Sequence, residues 1–284
     1  MSIERVNLLA TSNKKINGCI KVPGDKSISH RAIIISSIAD GRTEINNYLN
    51  AADVNATINA CRAIGAAIEE SKDTLIIDGN NLERHHVDAI DLNFGNSGTS
   101  MRLMMGILSA QKFSSVLIGD ESLNERPMDR VSNPLLRMNA DIKTSDGKPP
   151  VYINPVPSIK CIDHTVDIAS AQIKSSIMLA GLYGENAFTI TTPQSRDHTE
   201  IMLSQFGCNI SINSHSIKME PCKPISPEFI QIPGDISSAA FFIVGSIISK
   251  NSQIIIENVG LNPLRTGLIE ILRMMGANIH ITNI

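Results

Sequence analysis

A chain of 284 residues that is 42% hydrophobic and 19% charged has ordinary globular composition, enough for roughly two domains of about 150 residues each. Its net charge of -3 supplies no general attraction for nucleic acid or an anionic membrane, so an anion site must be a local concentration of Lys and Arg.

In chain order, Met1 to Arg5 lacks the basic start and apolar core of a secretory leader. The first predicted element is an extended segment, Cys19 to Val22, that meets a Pro23-Gly24 turn. Asp25 and Ser27 then offer capping oxygens ahead of the apolar run Ala32 to Ile35, which reads as strand, turn, helix start. Lys26 and Arg31 add two cations where unpaired backbone N–H groups already carry partial positive charge, and a phosphate or carboxylate fits there. An ordinary capped surface helix with two solvated cations fits the same residues.

The next helix start reads Asn93-Phe94-Gly95-Asn96-Ser97-Gly98-Thr99-Ser100-Met101-Arg102. Its glycines let a backbone approach a ligand, and Asn96 and Thr99 supply neutral hydrogen-bonding groups. Glu125-Arg126-Pro127-Met128-Asp129-Arg130 follows, where Arg126 either forks onto an anion or pairs with Glu125 or Asp129. The third start, Ser170-Ala171-Gln172-Ile173-Lys174-Ser175, again combines small residues with an amide and a cation. Ser195-Arg196-Asp197-His198-Thr199-Glu200 then opens a further helix capped by Asp197 and Thr199, with His198 read as structural because no nucleophile stands near it. The longest apolar run, Ala239 to Ile248 past Gly245 and Ser246, is about ten residues, where a bilayer span needs about twenty. The chain is expected to be soluble.

A repeat runs through these elements. Ile20-Lys21-Val22-Pro23-Gly24-Asp25-Lys26-Ser27 returns as Ile230-Gln231-Ile232-Pro233-Gly234-Asp235-Ile236-Ser237. Helix starts at Ser27, Gly98, Ser170 and Ser237 are 71, 72 and 67 residues apart, and helix ends at Gly65-Ala66, Asn139-Ala140, Gly207-Cys208 and Gly276-Ala277 keep a similar spacing. Gly, with Asn as its substitute, closes a helix in the left-handed conformation. Short strands such as Val116 to Ile118, Ile210 to Ile212, Ile254 to Ile256 and Ile279 to Ile281 complete a unit of about 70 residues in which β and α alternate. Like units packing alike would gather four helix N-termini at one end.

The five cysteines, Cys19, Cys61, Cys161, Cys208 and Cys222, include no C-x-x-C pair or zinc spacing and read as reduced thiols of a cytoplasmic protein. Asp25 occupies the position where a Walker loop needs Gly before Lys26, and no strand leads into G-x-G-x-x-G, so neither nucleotide motif is present.

Together, Pro23 to Ala32, Gly95 to Arg102, Arg126-Pro127-Met128, Ser170 to Ser175, Ser195 to Glu200 and Pro233-Gly234-Asp235-Ile236-Ser237-Ser238-Ala239 resemble 5-enolpyruvylshikimate-3-phosphate synthase. The Ser-Ala-Gln and Arg-Asp-His-Thr-Glu forms resemble its second class. The resemblance implies an α/β fold, α+β in some schemes: the enolpyruvyl transferase fold, an inside-out α/β barrel of repeated βαβαββ units in two lobes whose helix N-termini face the cleft between them. One lobe is then residues 24–232, with three units. The other, residues 1–23 and 233–284, has one unit and lacks two.

By the same resemblance Lys26, Gly98, Arg126 and Gln172 face phosphoenolpyruvate. Lys26, Ser27, Arg31, Ser170, Gln172 and Arg196 hold shikimate 3-phosphate, and Asn96, Thr99 and Ala171 line the site. The implied reaction transfers the enolpyruvyl group to the shikimate 5-hydroxyl and releases phosphate, a step of the shikimate pathway to aromatic amino acids, without metal or organic cofactor. A cytoplasmic protein, monomeric at full length, with no nucleic-acid or membrane partner, is implied. Family members are longer, and their general acid and base, an Asp and a Glu, lie in the C-terminal part that nothing here resembles; Asp53, Glu200 and Asp235 do not take those roles. The chain is expected to be inactive or weak alone, with bare apolar faces and lower stability at 233–284. Alternatives are a non-catalytic anion-binding module, an enolpyruvyl transferase acting on a UDP-amino sugar, and an RNA 3′-phosphate cyclase, against which the net charge argues.

Overall fold

The structure, a computed structural model, describes residues 15–80 and 89–282. Met1 to Arg5, read for a leader, lies outside the described residues. The chain opens with β1 (Asn17–Lys21), α1 (Lys26–Ile38), β2 (Asp40–Asn46), α2 (Ala52–Ala63), β3 (Ala67–Ser71) and β4 (Thr74–Asn80). It continues through β5 (Ile90–Asn93), α3 (Gly98–Leu108), β6 (Ser115–Ile118), a single turn α4 (Glu121–Asn124), α5 (Asp129–Arg137), β7 (Asp141–Ser145) and β8 (Lys148–Asn154). Next come β9 (His164–Thr165), α6 (Ala171–Gly181), β10 (Phe188–Thr191), α7 (His198–Gln205), β11 (Ile210–Ile212) and β12 (Ser216–Met219). The last elements are β13 (Phe229–Gln231), α8 (Ile236–Ile248), β14 (Gln253–Glu257) and α9 (Gly267–Met274).

Local chemistry sets these boundaries. Each of α1, α3, α6 and α8 starts behind a side chain that accepts a backbone N–H: Asp25 from Ile28, Ser97 from Ser100, Ser170 from Ile173 and Asp235 from Ser237. Four second helices end where Gly65, Asn139, Gly207 and Gly276 turn into the left-handed region, at φ of 104°, 73°, 82° and 90°. The repeat is therefore real in backbone terms.

Contacts divide the chain into two compact units, Gly24–Ile232 and, separately, the segments up to Pro23 and from Pro233. Within Gly24–Ile232, three four-stranded sheets share one topology: β13-β2-β4-β3, β5-β6-β8-β7 and β9-β10-β12-β11. In each, the first two strands are parallel and the rest of the ladder is antiparallel. A parallel pair needs a crossover, which α3 and α6 supply in the second and third sheets. The first sheet takes its opening strand, β13, from the far end of the unit. One continuous core, including fully buried Phe94, Phe188, Phe206 and Ile33 to Ile35, joins all three copies. Gly24 is required where the chain enters: a Cβ there would lie 1.9 Å from the Asn47 carbonyl oxygen.

In the other unit β1 pairs parallel with β14, and Val22, Ile236, Ala239 and Ile269 form a small core. Two expectations are corrected. Ile279 to Ile281 alternates in sequence but forms no strand: no described segment pairs with it in a ladder, and the Ile279 carbonyl accepts from Arg273 instead. Nor are all five cysteines free: Cys208 and Cys222 form a disulfide, leaving Cys19, Cys61 and Cys161 as thiols. The β11–β12 hairpin, with Ile210 opposite Met219, folds the two flanking cysteines to a Cα separation of 5.8 Å. No helix among the described residues is long and apolar enough to cross a membrane.

Candidate anion-binding site

Within Gly24–Ile232 the N-terminal turns of α1, α3 and α6 are tied together by side chains. At α1, Lys26 Nζ lies 3.0 Å from Asp53 Oδ2 on α2. Ser27 Oγ accepts from Arg196 Nη1 at 3.0 Å. Arg31, buried one turn further on, donates through Nε to Thr199 Oγ1 at 2.7 Å, through Nη1 to the Ser27 carbonyl at 2.9 Å and through Nη2 to Ser175 Oγ at 3.0 Å. Three of its five N–H groups are thus engaged, all with neutral oxygens. Burial and then the neighbouring Arg196 push the Arg31 guanidinium down to about 10.

A second cluster joins α3 to α6. Gln172 Nε2 donates to Thr99 Oγ1 at 3.0 Å, and Arg102 Nη1 donates to Gln172 Oε1 at 2.8 Å. The other Arg102 nitrogen, Nη2, reaches the Pro127 carbonyl at 3.0 Å. Burial first, then Arg126 and Arg130, lowers the Arg102 pKa. Arg126 Nη2 donates to Asn96 Oδ1 and, at 3.4 Å, to Ser122 Oγ. Asn96 in turn donates to Asp120 Oδ2 at 2.8 Å. The Leu123 backbone N–H and then Asn96 hold the Asp120 carboxyl below its usual range. Glu125, a candidate partner of Arg126 in the sequence, instead pairs with Lys148 at 2.6 Å.

The residues expected at the site fall into these two clusters. Lys26, Ser27, Arg31 and Arg196 gather at α1; Asn96, Gly98, Thr99, Arg126 and Gln172 gather at α3. Ser170 caps α6 and Ala171 is its first residue. α6 bridges the clusters, since Ser175 accepts from Arg31 and Gln172 from Arg102. Sequence reasoning missed the roles of Ser175, Thr199, Asp120 and the Arg102 cross-link, all made over long sequence separations. Thr199, read as a cap, sits inside α7 as an acceptor. His198 is buried at the start of α7. Beside it in the sequence, Glu200 is paired with buried Lys174 at 2.5 Å, and burial raises the Glu200 pKa.

Arg31, Arg102, Arg126 and Arg196 all donate to neutral oxygens, and none has a carboxylate at ion-pair distance among the described residues. Four guanidinium groups without paired carboxylates make a positive surface at three capped helix starts, suited to a small ligand with several negative charges.

The EPSP synthase (3-phosphoshikimate 1-carboxyvinyltransferase) family model matches residues 10–284. Among curated relatives, the 3-phosphoshikimate 1-carboxyvinyltransferase of Vesicomyosocius okutanii is 46% identical over 267 residues, covering 94% of this chain and 61% of the relative. That of Bacillus cytotoxicus is 44% identical over 276 residues, covering 95% and 64%. A solved EPSP synthase from Acinetobacter baumannii superposes with a TM-score of 0.88 at 44% identity, over 96% of this chain and 62% of that one. The chain thus spans less than two thirds of the length of these relatives. With the family model matched over nearly all of its residues and the fold shared, the chain belongs to the EPSP synthase family.

Proposed function

We propose that Gly24–Ile232 binds shikimate 3-phosphate and phosphoenolpyruvate, as a part of an enzyme that transfers the enolpyruvyl group to the shikimate 5-hydroxyl and releases phosphate. The observation that carries this reading is the group of four arginines bonded to neutral acceptors around three helix starts. Lys26, Ser27, Arg31, Ser170, Gln172 and Arg196 hold shikimate 3-phosphate. Lys26, Gly98, Arg126 and Gln172 face phosphoenolpyruvate, with Asn96, Thr99 and Ala171 lining the site. Bringing two anions together costs repulsion, which these cations offset. Arg31 acts with the donors that its internal bonds leave available. The reaction also moves protons, a task assigned to no residue of this chain, so binding is proposed here and turnover by these 284 residues alone is expected to be negligible. A cytoplasmic location, and a monomeric state at full length, are part of the same reading.

Isothermal titration with shikimate 3-phosphate, phosphoenolpyruvate and a UDP-amino sugar tests the proposal. The expected result is binding of shikimate 3-phosphate that the nucleotide sugar does not compete with, and that Lys26→Ala weakens about tenfold or more. A charge-assisted hydrogen bond is worth about 1.5–3 kcal/mol, and about 1.4 kcal/mol is a factor of ten. Binding of the nucleotide sugar in place of shikimate 3-phosphate, or Lys26→Ala binding as tightly as the native chain, defeats it.

A further inference from the structure

Three side chains meet in a row where α3 and α6 come together, and the middle one is an amide. Gln172, the second residue of α6, sits between Arg102 and Thr99 of α3, and all three are half-buried. A carboxamide has an acceptor on one side and two donors on the other, so the side that faces a ligand depends on what holds it. Arg102 Nη1 stands 2.8 Å from one end of the amide, and a guanidinium only donates, so that end is the carbonyl oxygen Oε1. Nε2 is thereby turned the other way, where it donates one proton to Thr99 Oγ1 at 3.0 Å and keeps a second for an acceptor outside the trio.

Thr99 cannot choose the orientation by itself, because a hydroxyl accepts from an NH2 group or donates to a carbonyl equally well. Arg102 can. With the amide reversed, donors would face donors across 2.8 Å, the Arg102 N–H would lose its acceptor, and Oε1 would point to the side where anions are proposed to sit. The guanidinium is itself held in place: Nη2 reaches the Pro127 carbonyl at 3.0 Å, so its two nitrogens span the turn before α5 and the first turn of α6. A lysine ammonium, a single point on a flexible stem, does not hold two acceptors in one plane. Nor is the contact a salt bridge. A neutral amide in the place of a carboxylate leaves the Arg102 charge unneutralised, and that charge adds to the positive surface.

We propose that Arg102 is a positioning residue that locks the Gln172 carboxamide with its NH2 side toward the anion site. The amide then offers donors, and no acceptor, to phosphate and carboxylate oxygens. The lock stands on the geometry, while its effect on ligands rests on the substrate binding proposed above, and two measurements keep the lock and the binding apart. The first needs no ligand: nuclear Overhauser contacts between the Gln172 Nε2 protons, identified by their loss in Gln172→Ala, and the Thr99 methyl. They are expected in the native chain and expected to weaken at least about twofold in Arg102→Met, where the amide turns over between its two orientations. Methionine is a good helix former, so α3 is kept. Contacts absent from the native chain, or equally strong in the two proteins, overturn the proposal. The second measurement is titration with shikimate 3-phosphate and with phosphoenolpyruvate across the four combinations of Arg102→Met and Gln172→Ala. Arg102→Met is expected to weaken binding at least about tenfold when Gln172 is present and no more than about threefold in the Gln172→Ala background, where only the missing charge is felt. Equal losses in both backgrounds overturn the proposal, since a merely structural or electrostatic arginine acts with or without the amide. A native chain that binds neither ligand defeats the binding reading alone, and the amide contacts then decide the lock.

Discussion

Nε of Arg31 on α1 donates to Oγ1 of Thr199 on α7 at 2.7 Å, linking the first and third copies of the repeat across 168 residues. Thr199 also shares a 2.6 Å bond with Ser175 on α6, so one hydroxyl joins three helices. All three side chains are buried, where an unmade bond is costly.

Thr199→Val keeps the shape and removes the oxygen. It leaves a buried guanidinium N–H without its acceptor and is expected to lower unfolding free energy by about 1–3 kcal/mol in urea titrations. Ser27→Ala removes the acceptor of Arg196 at the surface, where water replaces it, and is expected to cost under about 1 kcal/mol. Equal costs for the two variants would show that Arg31 does not depend on Thr199.

Acid sensitivity follows from His30. Burial, and then Arg31, pushes its pKa from 6.5 to about 3, with Asp53 opposing and Lys26 reinforcing. Its Nδ1 is bonded to Thr57 Oγ1 at 2.7 Å. The folded-state pKa is the lower one, so below pH 6.5 the unfolded chain takes up a proton that the folded chain refuses. Stability from this group is complete above about pH 6.5 and is lost as pH falls toward 3, at up to about 1.4 kcal/mol per pH unit. His164, held down to about 4 by burial and then Arg137, adds a second contribution of the same sign. Urea titrations between pH 7 and 5 should show the slope, and His30→Asn should reduce it by about one proton's worth. An unchanged slope in His30→Asn would assign the acid sensitivity elsewhere.

The legible parts of this fold were those with local determinants. Capping residues at Asp25, Ser97, Ser170 and Asp235, and left-handed residues at Gly65, Asn139, Gly207 and Gly276, act within a few residues of themselves, and so the repeat could be read from sequence. Ile279 to Ile281 has the alternation of a strand, but a strand also needs a neighbour, which alternation cannot report. Cys208 and Cys222 meet through the register of a hairpin between them, invisible in a C-x13-C spacing. At the candidate site the residue types were readable from motifs. The bonds that organise them, Arg31 to Thr199 and Arg102 to Gln172, join elements 168 and 70 residues apart and come only from the packing of whole copies.

The cysteines give a direct chemical check. Alkylation of the unfolded, unreduced protein is expected to label three thiols, Cys19, Cys61 and Cys161, and five after reduction. The bridge closes a loop of 14 residues, for which chain-entropy reasoning gives about 3 kcal/mol, so reduction should lower the urea midpoint of Gly24–Ile232. Five labelled cysteines before reduction would mean that the two sulfurs are not joined.

Gly98 separates packing from recognition. It is the first residue of α3, and a Cβ built there would lie 3.4 Å from Arg126 Nη1 and from Leu123 Cδ1, and 3.5 Å from Arg102 Nη1. Those are ordinary contacts, and its backbone is helical, so Gly98→Ala has no steric reason to destabilise the fold. Alanine restricts the unfolded chain more than glycine does, and stability is expected to stay level or rise by up to about 1 kcal/mol. The added methyl nevertheless occupies space beside the Arg126 guanidinium proposed to face phosphoenolpyruvate, and beside Arg102, which is bonded to Gln172. Intrusion of one methyl into a fitted site costs about 1–3 kcal/mol, roughly five- to 150-fold in affinity. Titration of Gly98→Ala is therefore expected to show weakened phosphoenolpyruvate binding alongside shikimate 3-phosphate binding close to native, because the latter's proposed contacts centre on α1 and Arg196. Loss of both ligands in equal measure, with stability retained, would mean that Gly98 does not border the phosphoenolpyruvate subsite alone. Unaltered phosphoenolpyruvate binding would take Gly98 and its arginine neighbours out of that subsite.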